Sequence, residues 1–186
     1  MRYVQVWDFR SDFMRMLSDF LLGGVLLLTP VVGHAYDRDR GEALQTLFGC
    51  GARREELTLS PTQQERARAL GGRAASSVTR YRASCADPLG RSGYIVTRTV
   101  RTLPQTLLVL VRADATLDRV ELLSFQEPAE YKGTGRWYRG FEGRRLDDEL
   151  NVQRSIPLMA GATITSRGTV QVVREVLALH SALTEP

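Results

Sequence analysis

The run Ala160-Gly161-Ala162-Thr163-Ile164-Thr165-Ser166 gathers small side chains and three hydroxyls directly ahead of a stretch with helical periodicity. Small residues let a ligand approach the main chain, and glycine adopts backbone conformations closed to other residues. A helix opens with amides that have no carbonyl to pair with, and its dipole makes that end positive. Hydroxyls and free amides meeting at one corner are the chemistry of phosphate binding. Without a ligand, the same residues make an ordinary glycine turn with a hydroxyl cap.

The helix must position that corner. Val172, Val176, Leu179 and Leu183 follow the spacing i, i+4, i+7, i+11, and Val173, Leu177 and His180 widen the stripe. Arg167, Gln171, Arg174 and Glu175 fall opposite. This predicts an amphipathic helix with one broad buried face. Thr165 or Ser166 is the expected N-cap, its hydroxyl accepting a first-turn amide. Thr163 then stands just outside the helix, facing the positive end of the dipole.

The motif resembles the Ser-Gly-Ala-Thr signature of the FMN-binding domain family, which includes the C subunit of the sodium-translocating NADH:quinone reductase and the G subunit of the Rnf complex. The resemblance extends upstream through Glu127-Pro128-Ala129-Glu130-Tyr131, Arg136-Trp137 and Phe141-Glu142-Gly143-Arg144, and faintly to Leu47-Phe48-Gly49-Cys50-Gly51-Ala52. It spans roughly residues 39 to 183. It implies that Thr163 carries FMN as a phosphoester and that Gly161, Ala162, Ile164, Thr165 and Ser166 surround the phosphate. It further implies that Trp137 and Phe141 line the flavin ring and that Glu127 hydrogen-bonds near it. From the residues alone, both aromatics serve equally as core and Glu127 as a turn cap. The chain departs from the signature at two places. Ala160 stands where a serine or threonine is usual, and Pro157 where an aspartate is usual.

Other chemistries have little material. The formal charge is +4, and Lys132 is the only lysine among 25 basic residues. The arginines are scattered without interleaved aromatics, which argues against a nucleic-acid partner. His34 and His180 are the only histidines. His180 falls on an apolar helix face, so neither a serine-histidine-acid triad nor a histidine metal site is expected. Asp147, Asp148 and Glu149 read as a solvated loop rather than a cation site. Cys50 and Cys85 fit either a disulfide or two buried thiols. No catalytic residue is assigned.

Residues 20 to 32 are strongly apolar but short for a membrane span. They end in Gly33-His34-Ala35, which reads as a signal peptidase site, so residues 1–35 are expected to be a signal peptide, with an uncleaved anchor as the alternative. Met14 or Met16 are alternative starts. The mature protein is then expected in the periplasm or another extracytoplasmic space.

Along the rest of the chain, residues 39 to 48 read as a short helix. Ser60-Pro61-Thr62-Gln63 opens a second through a capping box, closed by Gly71-Gly72. Residues 94 to 100 read as a strand, and 105 to 112 with 119 to 125 as an antiparallel hairpin. At 186 residues the chain suits one domain, residues 36–186, of α+β class with a mostly antiparallel sheet packed with helices. The expectation is an exported flavoprotein in electron transfer, rather than a stand-alone enzyme, served by a flavin transferase and a membrane or exported redox partner. The alternatives are a flavin-free interaction module on the same fold and a noncovalent FMN binder.

Overall fold

The computed structural model describes residues 36–73 and 75–184; the expected signal peptide lies outside them. Among the described residues the sheet has six antiparallel strands in the order β1-β6-β5-β4-β3-β2. These are β1 (Tyr36–Asp37), β2 (Ala52–Thr58), β3 (Ser77–Ala83), β4 (Ser92–Thr99), β5 (Pro104–Val111) and β6 (Leu117–Phe125). β1 is a two-residue addition at the β6 edge, so the sheet is in essence five-stranded. Four helices accompany it: α1 (Arg40–Phe48), α2 (Pro61–Ala69), α3 (Gly135–Arg139) and α4 (Thr163–Thr184). The fold is α+β in a single domain, as expected.

The strand β5 shows why its sequence runs apolar without alternating. Leu107, Val109 and Val111 pack with α4 and the α3 region, while Leu108 and Leu110 pack with Ala43, Leu44 and Phe48 of α1. A strand covered on both faces loses the polar half of its period. Its neighbour β6 carries a register shift where Leu107 pairs with Leu122 and Thr106 with Ser124. Leu123 thereby joins the α1 side of the sheet while Leu122 stays on the α4 side.

The helix starts follow their caps. Asp39 accepts the Glu42 amide at 2.8 Å ahead of α1. Ser60 and Gln63 close a capping box ahead of α2, with Pro61 in its first turn. Both match the expected boundaries.

The long helix α4 is buried more widely than its stripe predicts. Thr165, Ser166, Thr169, Val170, Ala178, Ser181 and Ala182 are also buried. One reason is α2, which approaches through small residues: a Cβ at Gly72 would stand 3.0 Å from the Ala178 Cβ and 2.8 Å from the Ala67 carbonyl oxygen. The expected polar face is also engaged. Glu175 pairs with Arg98 of β4 at 2.5 Å, and Arg174 donates to the Leu150 carbonyl at 3.0 Å. Cys50, after α1, and Cys85, after β3, form a disulfide.

Candidate anion-binding site at the start of the long helix

The helix α4 begins at Thr163, two to three residues earlier than its expected cap. This corrects two expectations. Thr163 is the first helical residue rather than a residue outside the helix, and neither Thr165 nor Ser166 is the N-cap. Ser166 Oγ faces backwards, donating to the Ala162 carbonyl at 3.0 Å and accepting the Met159 amide at 3.1 Å. It ties the incoming segment to the first turn. The amides of Thr163, Ile164 and Thr165 remain free of backbone partners, as the opening amides of any helix must be unless capped.

Gly161 enters this turn at φ +75°, a conformation that favours glycine. A Cβ built there would meet nothing within 4 Å. The glycine therefore answers to backbone shape, and open space lies beside it. Ala162 is buried, Thr163 half-buried and Ile164 exposed.

That space is a cleft of about 200 Å³, lined by Gly161, Ala162, Thr163, Ile164 and Thr165 on one side and by Arg101 and Tyr131 on the other. Thr165 is 1% exposed, and its Oγ1 has no hydrogen-bond partner. A buried hydroxyl left unpartnered costs roughly 1–3 kcal/mol unless something satisfies it. Thr165 lines the cleft, in the turn whose three opening amides are free of backbone partners.

Arg101 and Tyr131, neither of them among the site residues expected from the sequence, form the opposite wall. The Arg101 guanidinium lies over the Tyr131 ring, 4.5 Å from its centroid, and it pairs with no carboxylate among the described residues. It rides on the loop between β4 and β5, whose tip is fastened by Glu127. The Glu127 Oε1 accepts the amides of Arg101 (3.1 Å), Thr102 (2.7 Å) and Leu103 (2.7 Å). Those bonds, to Thr102 and Leu103 first, hold its carboxyl below the usual glutamate range against the opposing effect of burial. Glu127 thus caps a turn, and that turn presents Arg101 to the cleft. No sequence signal marks Arg101, because its role depends on a loop shape fixed by a carboxylate 26 residues further on.

Trp137 and Phe141 do not line this cleft. Both are buried in the core, their rings edge-to-face 5.2 Å apart. Trp137 Nε1 donates to the Pro157 carbonyl at 2.7 Å. Trp137 therefore anchors the segment leading into the motif. The structure brings Gly161 through Ser166 together, places Glu127 behind the facing loop, and sets the two aromatics in the core, outside the cleft lining.

Compared with protein-family models, curated proteins and solved structures, the chain matches none.

Other concavities compete poorly. A larger one, about 480 Å³, lies between β6 and α3, and its walls mix Arg119, Arg139, Glu121 and Glu142. It shares no residue with the motif. Among the described residues no group of histidine, cysteine, aspartate or glutamate could hold a metal ion, and no helix is long and apolar enough to cross a membrane. Asp147 accepts the Leu150 amide and Glu149 pairs with Arg154, so the acidic stretch shapes its own loop.

Two of the four large exposed apolar side chains among the described residues stand on the segments that wall the cleft. They are Leu103 (43% exposed) and Ile164 (50%). The cleft is smaller than a pocket that encloses a whole cofactor, which usually holds 300 Å³ or more. Its polar end suits an anion, and its rim offers apolar surface for whatever the anion is attached to.

Proposed function

We propose that this chain is an exported flavoprotein that carries FMN through a phosphoester on Thr163 and serves in electron transfer. The observation that supports it most is the buried, unpartnered hydroxyl of Thr165, a residue that lines the same cleft as Thr163 in the turn whose opening amides are free. These donors fit a phosphate. Thr163 would carry the ester, Thr165 and the amides would hold phosphate oxygens, and Gly161 would leave room for them. Bound FMN supplies one- and two-electron redox chemistry. Ile164 and Leu103 give the flavin or its redox partner an apolar surface beside the phosphate end. Trp137 and Phe141 support the motif from the core instead of touching the flavin. Relative to free FMN, the ester forms between Thr163 Oγ1 and phosphorus with net loss of one water. A flavin transferase acting on an activated flavin nucleotide would make it.

The Cys50–Cys85 disulfide supports the exported part of this reading, since such bonds persist in oxidising compartments. An attached flavin also cannot be lost where no free supply exists. A flavin-free module on the same fold has one observation in its favour: Pro157 stands at the signature's usual aspartate, where only its carbonyl is engaged. The intact mass of protein made alongside a flavin transferase separates the readings. Added flavin that survives denaturation supports the ester, flavin released on denaturation indicates noncovalent binding, and colourless protein indicates the module.

A further inference from the structure

We propose that Arg101 is the anion-pairing residue of the Thr163 cleft and gives it selectivity for a phosphorylated flavin over an uncharged one, with Glu127 as the residue that positions it. This rests on the flavin reading above.

Among the described residues, Arg101 is the one cation lining the cleft. Its guanidinium carbon lies over the Tyr131 ring, 4.5 Å from the centroid, and it is not spent on any carboxylate among the described residues. Surface arginines that only solvate a protein need no such support. Stacking leaves the edge N–H donors of a guanidinium directed outward in its plane, the geometry with which arginine recognises phosphate oxygens. The opposite wall already offers the α4 amides and the buried Thr165 hydroxyl. An anion seated there would be held from both sides.

The loop carrying Arg101 is not left to find this position. Three consecutive amides, those of Arg101, Thr102 and Leu103, converge on one oxygen of Glu127. A further backbone bond, from the Val100 amide to the Leu103 carbonyl at 3.0 Å, closes the turn. Glu127 itself is buried behind the loop and is absent from the cleft lining. Its effect on a ligand must pass through the loop it fastens, which carries Arg101.

The test uses the full chain made without a transferase, so that Thr163 stays unmodified, and titrates FMN and riboflavin separately by flavin fluorescence anisotropy. The native chain is expected to bind FMN more tightly than riboflavin. Arg101→Gln should reduce that preference about tenfold, the size expected for losing one charge-assisted contact, while Arg101→Lys keeps part of it. Arg101 is exposed, so thermal midpoints should match the native value and rule out misfolding. Glu127→Ala should weaken FMN binding more than riboflavin binding; a merely structural role would weaken both alike. An unchanged preference in Arg101→Gln overturns the proposal and leaves the flavin reading intact. Failure of the native chain to bind FMN, up to the solubility of the flavin, also overturns it. If mass spectrometry in addition finds no flavin on protein made with a transferase, the flavin reading falls as well.

Discussion

Glu127 decides more of this site than its distance from the motif suggests. It is 7% exposed and satisfies three loop amides through a single oxygen. Replacing it with alanine leaves those donors without an acceptor, which should cost about 2 kcal/mol or more in urea unfolding. A loss below a few tenths would mean that the loop holds itself. The pH dependence has a definite sign. The folded carboxyl ionises below its ordinary value of 4.5, so its contribution is present above that pH and is lost as pH falls through the lower folded value. Thr163 and Thr165 sit across the cleft on residues whose chemistry was legible in the sequence. What could not be read there was which hydroxyl faces which way. Ser166 turned back to hold Met159 and Ala162, and the helix opened at Thr163 instead.

The helix α4 is joined to the sheet by a buried polar contact as well as by packing. His180 Nδ1 and the Tyr94 hydroxyl share a hydrogen bond at 2.9 Å, and both residues are 1% exposed. Burial, aided by the nearby Arg80 charge, pushes the His180 imidazole down to about 4 from 6.5. Burial likewise pushes the Tyr94 phenol up to about 12. Between pH 6.5 and about 4 the unfolded chain binds a proton at His180 that the folded chain does not, so acidification favours unfolding across that window. The gap corresponds to on the order of 3 kcal/mol. The melting temperature should therefore fall from pH 7 to pH 5, and His180→Gln should flatten that fall; identical slopes would contradict the assignment.

The elements differ in how far their sequences announced them. The capping box at Ser60, and the apolar runs of β5 and β6, identified their elements because local physics fixes them. β2 gave no such signal: four of its seven residues, Arg53, Arg54, Glu55 and Glu56, are charged. It is held instead by cross-strand partners, with Glu55 directly opposite Arg80 of β3 and 2.8 Å from it. Such a strand depends on a neighbour that the sequence does not reveal. The same limit hid Arg101, whose place is set by Glu127 and Tyr131 together.

At the scale of the molecule, the disulfide fastens the end of α1 to the end of β3, closing a separation of 35 residues. On chain-entropy grounds such a link is worth about 4 kcal/mol. Cys50→Ser with Cys85→Ser should lower unfolding stability by that order, and a loss under about 1 kcal/mol would show that β2 and β3 do not need it. The fold as a whole places an anion-ready cleft where the motif stands, with exposed Ile164 in its lining and exposed Leu103 on the loop that carries Arg101. The central claim is that this cleft carries flavin on Thr163. The most direct measurement is the intact mass, under denaturing conditions, of the chain produced together with a flavin transferase, beside Thr163→Ala. The account predicts a gain of one FMN less one water in the native chain and none in the variant. The unmodified mass in both, or the same gain in Thr163→Ala, would contradict it.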